Sequence, residues 1–138
     1  MNDHSSFHVG LNTFVIKDGK LLLGKRKGNG EGMWGLPGGH MEHGELMAEG
    51  ARRELKEETG LKADVSFINL TNGRGKVGPS HYLHVGFLAK NIQGEPRVIE
   101  PDKFYEWRWF DLKDLPVNMF TGHQKQIRAF LAGQTFAD

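Results

Sequence analysis

The 138-residue chain predicts an α/β fold, a mixed β-sheet held between helices. Three observations carry that expectation. Short stretches rich in β-branched and apolar residues recur along the chain, bounded by turn residues. One strongly helical stretch interrupts them centrally and another follows near the end. Strands joined by hairpins and broken by helices in this way need a sheet that the helices can cover. The length suits one domain over 1–138 with room for a real core, and no internal repeat or low-complexity tract divides it.

Composition removes several function classes. Apolar content of 38%, charged content of 25% and a formal net charge of +1 describe an ordinary soluble protein. A protein that coats nucleic acid carries a basic surplus, so extended nucleic-acid binding is not expected. The longest apolar runs are far too short to span a membrane, and the start MNDHSSFHVG lacks the basic and apolar regions of a signal peptide. The absence of cysteine excludes disulfides, thiol chemistry and Cys-based zinc sites, and fits a cytoplasmic location.

Taken in order, Met1 to Phe7 is a loose polar start. His8 to Ile16 and Leu21 to Leu23 read as strands, joined through the Asp18-Gly19 pair favoured in tight hairpins. Lys25-Arg26-Lys27 then reads either as a solvated strand end or as a phosphate contact, for which Arg offers a planar fork. A glycine-rich loop, Gly28 to Gly32, follows. Trp34, Leu36 and Pro37 form a short strand running into Gly38-Gly39, where glycine permits φ > 0 and close approach to a ligand; a plain turn would also suffice.

Glu45 to Glu58 predicts a helix. Ala48, Ala51 and Leu55 make an apolar stripe, Glu49–Arg53 and Arg53–Glu57 are i,i+4 ion pairs, and Gly60 is placed to end the helix in left-handed conformation. Asp64 to Thr71 is a strand and Asn72 to Pro79 a glycine-rich loop, whose Arg74 and Lys76 are read as solvated in preference to phosphate-binding. His81 to Ala89 is a strand followed by a turn at Gly94-Glu95-Pro96. His81 and His84 face opposite ways on it, which suits packing or base-lining better than metal ligation. In Phe104 to Phe110, Phe104, Glu106, Arg108 and Phe110 share one face, and Tyr105, Trp107 and Trp109 the other. That aromatic stripe is read as core. A loop from Asp111 to Pro116 leads to a capped helix from Thr121 to Ala132, with Ile127, Phe130 and Leu131 inward and Gly133 ending it.

The chemistry concentrates in LPGGHMEHGELMAEGARRELKEETGL, Leu36 to Leu61. On one helix Glu54 meets Glu57 and Glu58 at i,i+3 and i,i+4, so three carboxylates crowd one side. Like charges at that spacing destabilise a helix, which points to a divalent cation that rewards them.

The spacing of Gly39, Glu45, Arg53-Glu54-Leu55, Glu57-Glu58 and Gly60-Leu61 resembles the Nudix box at every fixed position. Seven such positions agree by chance on the order of 1 time in 10⁸, so a merely solvated acidic face is a poor account of them. Leu22 to Lys27, Leu36 to His40, His81-Tyr82, Gly94 to Pro96, Glu100-Pro101 and Trp107 to Trp109 are also similar to the MutT-like nucleoside triphosphate diphosphatases. The resemblance covers essentially the whole chain and implies the Nudix α/β/α sandwich.

It implies Mg²⁺ or Mn²⁺ held by Glu54, Glu57, Glu58 and the Gly38 carbonyl. Glu57 or Glu58 would serve chiefly as ligands and Glu54 as ligand or base, with one glutamate or a further acid taking the proton of water. Arg53 would orient the acidic edge, while Gly39, Glu45 and Gly60 shape the motif. A further carboxylate is often added from outside the box, for which Glu100 and Glu106 are the candidates. Substrate would meet Arg26 and Gly39, and base recognition would draw on His8, Asn12, the His81 strand and Asn118 to Phe120. The implied reaction converts a nucleoside triphosphate, normal or oxidised, to the monophosphate and pyrophosphate. ADP-ribose or a nucleotide sugar is the alternative substrate, and a non-catalytic nucleotide or RNA-end module the alternative class. An NADH-type pyrophosphatase is disfavoured by the lack of an SQPWPF-like element. The expected partner is a small nucleotide, with no membrane and a homodimer as the favoured assembly.

Overall fold

The computed structural model describes residues 7–74 and 81–138. Residues 1–6 of the polar start and the Gly75–Ser80 part of the glycine-rich loop, including Lys76, lie outside the described residues. Strand β1 (His8–Phe14) is followed after Val15 by a two-residue strand β2 (Ile16–Lys17). Asp18 and Gly19, at φ 53° and 74°, then reverse the chain into β3 (Lys20–Arg26). Two consecutive left-handed residues match the twist of a hairpin, which is why Asp-Gly serves here.

The remaining elements are β4 (Trp34–Gly35), β5 (Gly38–His40), helix α1 (Met47–Thr59), β6 (Lys62–Arg74), β7 (His81–Gln93), β8 (Phe104–Asp111), helix α2 (Thr121–Leu131) and β9 (Phe136–Ala137). One sheet has the order β5-β1-β7-β6-β9. It is mixed, since β1 runs parallel to β7 and β6 to β9, while β1–β5 and β6–β7 are antiparallel. In the second sheet, which is antiparallel, β3 pairs with β2, β4 and β8.

Helix α1 packs on β1, β5 and β6, and α2 on β6, β7 and β9. Alternation along the strands divides the core accordingly. Leu11, Val85 and Phe87 join Ala51 of α1, and Leu22 meets Leu55 and Leu61. Facing α2 instead, Phe14, Leu21, Leu23, Trp34 and Leu36 surround Ile127. The first sheet is therefore sandwiched by helices, as the pattern predicts.

Several boundaries differ from the sequence reading. Glu45 precedes α1, because its carboxylate is engaged by the Glu42 amide and by Arg53. The Glu49–Arg53 pair does not form; Glu49 accepts the Leu46 amide at 3.0 Å and so closes the open N-terminus of the helix. Gly38 and Gly39 form a strand edge paired with β1, and neither has positive φ. Strand pairing carries β6 through Arg74, into the predicted loop, and β7 through Gln93. A register shift at Lys25/Arg26 breaks the two-face division of β8, so the Phe104 and Trp107 rings pack together with centroids 4.5 Å apart. Thr121 does not cap α2, whose N-cap is Phe120, and Leu131 is exposed.

Candidate active site

Glycine without positive φ implies a space constraint, and the β5 edge shows it. A Cβ on Gly38 would strike Asn12 and the Leu11 carbonyl, and one on Gly39 would strike the Glu54 carboxylate. The helix thus lies against bare backbone. Glu58, one turn beyond Glu54, accepts the Gly38 N–H at 2.8 Å and is only 5% exposed. At the far end of α1, Gly60 takes φ 79° and its amide returns to the Lys56 carbonyl, stopping the helix as its position predicts.

Arg53 binds the acidic edge together. Its guanidinium donates to Glu45 at 2.9 and 3.1 Å, to Glu54 at 2.7 Å, to Glu57 at 3.3 Å and to the His40 carbonyl at 3.2 Å. Glu42 lies 3.3 Å away as well. The hydrogen bond from Arg53 lowers the Glu45 pKa, and Glu45 in turn raises that of Arg53. One cation therefore joins the loop before α1, the β5 edge and two helical carboxylates.

Glu58 is in a different situation. Burial, assisted by the nearby charges of Glu54 and Glu100, pushes its carboxyl up to about 8 against the pull of the Gly38 amide. Burial likewise raises Glu54, though Arg53 opposes the shift. As placed, no three His, Asp or Glu side chains among the described residues converge on one point, since Glu57 is turned outward to Arg53. The donor set still fits a hard divalent cation: it is oxygen-only, anionic and partly buried, with Arg53 holding its outer edge at Glu54 and Glu57. Of the two outside acids, Glu100 belongs to this cluster, whereas Glu106 pairs with Arg108 at 2.8 Å.

The basic triplet is split by strand alternation. Lys25 and Lys27 lie outside over the Tyr105 ring, at 5.7 and 4.8 Å. Arg26 turns inward, its guanidinium 3.8 Å from the Phe120 ring centroid and its Nε bonded to the Asn29 carbonyl at 3.0 Å. Burial lowers its pKa, and Glu58 and Tyr82 counter that effect. Arg26 and the acidic cluster are thus electrostatic neighbours. Phe120 is held in place by the Trp34 backbone, whose carbonyl accepts the Phe120 N–H and whose own N–H donates to the Asn118 carbonyl.

Beside Arg26, the α2-facing side of the first sheet carries buried polar groups. Asn12 contacts His84 Nδ1 at 3.0 Å and Gln126 Oε1 at 2.8 Å, and Gln126 reaches Asn69 at 3.3 Å. His123 Nδ1 accepts the Leu36 amide at 3.0 Å. His84 stacks on Tyr82 and meets His123 edge-on, and His8, His40 and Tyr82 continue the row of rings. The Thr71 hydroxyl, across from His84, is buried with no partner among the described residues.

Of the residues singled out from sequence, Gly38, Gly39, Glu54 and Glu58 come together with Asn12 and face Arg26, while Glu57 sits on the outer edge. His81 lies on the opposite face from Asn12, bonded to Asn72 at 2.6 Å. His123, Gln126 and Asn69 escaped notice because polar residues on a terminal helix and a strand ordinarily read as solvated. The available signal was the spacing of His123 to Ile127, one turn apart and therefore on one face.

A family model for the NUDIX domain matches residues 6–131. An ADP-ribose pyrophosphatase of Methanocaldococcus jannaschii is 36% identical over 125 residues, covering 89% of this chain and 72% of the relative. An oxidized purine nucleoside triphosphate hydrolase of Danio rerio is 37% identical over 105 residues, covering 74% of this chain and 65% of the relative. Among solved structures, a MutT NUDIX hydrolase from Burkholderia pseudomallei superposes with a TM-score of 0.83 at 30% identity, covering 89% of this chain and 97% of that one. The chain belongs to the Nudix family, as a pyrophosphohydrolase whose chemistry is that of a divalent-metal enzyme.

Proposed function

We propose that this chain hydrolyses the diphosphate linkage of a nucleoside triphosphate, releasing the monophosphate and pyrophosphate. The observation that carries the reading is the juxtaposition of Arg26 with the buried Glu58 and the half-buried Glu54 across the Gly38 edge. A diphosphate is protected by its own anionic oxygens, and this juxtaposition answers both parts of that barrier. Arg26 offers a preorganised fork to phosphate oxygens, already immobilised by Phe120 and Asn29. Glu54, Glu57, Glu58 and the Gly38 carbonyl, with Glu100 nearby, would hold the cation, Mg²⁺ or Mn²⁺. When bound, that cation supplies charge neutralisation at the diphosphate and acidifies water.

The protein groups divide the rest. Arg53 keeps Glu54 and Glu57 oriented, and a glutamate freed from Arg53 can accept a proton. The Danio rerio relative's name supports the triphosphate assignment. The longer coverage of the Methanocaldococcus jannaschii relative favours the second reading, ADP-ribose or a nucleotide sugar, at the same site.

A hydrolysis panel separates them. Triphosphates, oxidised triphosphates, ADP-ribose and nucleotide sugars are supplied with Mg²⁺ and the products resolved chromatographically. Monophosphate plus pyrophosphate from triphosphates is expected, and turnover confined to sugar-linked diphosphates would replace it with the second reading. Excess chelator should abolish turnover, and Glu57→Gln should lower kcat by orders of magnitude with an unchanged circular dichroism spectrum. Full activity under chelation would sink the metal-dependent mechanism.

A further inference from the structure

The polar network on the α2 side has a hydrogen-bond polarity that can be assigned outright, because it is anchored at one end by a backbone carbonyl. A backbone carbonyl only accepts, so the contact of Asn69 Nδ2 with the Gln126 carbonyl at 3.2 Å fixes the Asn69 amide. Asn69 Oδ1 then accepts from Gln126 Nε2 at 3.3 Å, which turns Gln126 Oε1 towards Asn12. Asn12 must donate to that oxygen through Nδ2, at 2.8 Å. The second hydrogen of Nδ2 points at His84 Nδ1, 3.0 Å away, which therefore accepts.

His123 is fixed independently, because the Leu36 N–H donates to its Nδ1. Burial keeps both rings neutral: the His84 pKa is lowered to about 4 and that of His123 falls well below its usual value. A neutral imidazole whose Nδ1 accepts carries its proton on Nε2. Neither Nε2 has a protein partner among the described residues, and each histidine as a whole is 5% exposed.

The network's acceptors are meanwhile covered. Gln126 and Asn69 are fully buried, and Asn12 Oδ1 lies against Gly38. The Thr71 hydroxyl takes either role and does not bias the set. What is left unpaired among the described residues, from His84 Nε2 through His123 Nε2 to the remaining N–H groups of the Arg26 guanidinium over Phe120, is a row of donors flanked by aromatic rings.

We propose that His84 and His123, set as Nε2–H donors by this network, make the site select nucleobases that present carbonyl oxygen, 6-keto purines and 4-keto pyrimidines, over their amino counterparts. The proposal rests on the nucleotide reading only in taking a base as the group that meets this row. A keto purine offers two adjacent acceptors on its O6/N7 edge, whereas an amino purine sets a donor against a donor. A site built to pair one pattern leaves buried groups unpaired with the other.

The test reads binding apart from turnover. Non-hydrolysable α,β-methylene analogues of ITP and ATP, and of UTP and CTP, are titrated with Mg²⁺ by calorimetry. The keto member of each pair should bind at least about tenfold tighter. In His123→Asn, whose amide can turn either its oxygen or its N–H outward, the ratio should collapse towards one. Nitrogen-15 NMR of the ring nitrogens should show an unprotonated Nδ1 in both histidines, a readout independent of that variant's folding. Equal or tighter binding of the amino members, no binding of any analogue, or a protonated Nδ1 would each overturn the proposal. Keto-selective binding without turnover of any triphosphate would leave it standing and overturn the triphosphatase reading instead.

Discussion

Glu58 is a carboxyl group whose placement is unfavourable until something is added to the site. Its pKa of about 8 lies above that of an exposed glutamate, so between roughly pH 4.5 and 8 the folded protein binds a proton that the unfolded chain does not. The sign follows: the contribution of Glu58 to the stability of the metal-free protein should fall as pH rises through that window. Glu58→Gln removes the titration, so its melting temperature should gain on that of the parent between pH 5 and pH 8. Calorimetric melts of both proteins in chelator at pH 5 and pH 8 check this. A difference between the two proteins that is the same at both pH values would count against the buried carboxyl. Added Mg²⁺ should restore the parent's stability at pH 8, since a cation favours the ionised form.

At the level of elements, α1 is held by its two ends and by one side chain. Gly60 at φ 79° ends it, and replacement by Ala should cost about 1–2 kcal/mol, because a Cβ is strained in that region. Chemical denaturation of Gly60→Ala should show that loss with chelator sensitivity unchanged. The helix, its apolar stripe through Ala51 and Leu55, and the Gly60 stop were all legible in the sequence, because each is a local rule acting within a few residues. The Asp18-Gly19 hairpin was legible for the same reason. What could not be read was the choice among partners. Glu49 had Arg53 one turn away and took the Leu46 amide instead, and Gly38-Gly39 looked like a turn until β1 was there to pair with it. The His84–Asn12–Gln126 set joins β7, β1 and α2, whose proximity no local pattern encodes.

Across the whole molecule, the buried neutral histidines oppose Glu58. His84, at about 4, and His123, lower than usual, bind fewer protons in the folded protein than in the unfolded chain as pH drops below about 6.5. Their contribution is therefore lost progressively on acidification, and for His84 the loss is complete below about pH 4. In the Glu58→Gln background, where the opposing titration is gone, the urea midpoint should fall between pH 6.5 and 5. Substituting His84 by Gln should make that fall shallower.

The parallel pairing of β1 with β7 also bears on how the molecule is made. Every acidic group of the motif lies before Gly60, yet the sheet on which α1 rests joins residues 8–14 to residues 82–88. The second sheet joins residues 20–26 to 104–111. Such contacts across the chain close late, because the loop between them must be ordered before they return any stabilisation. During synthesis the whole acidic stretch therefore emerges well before the strand that seats it. A piece ending at residue 61 would hold the complete motif and no fold to display it.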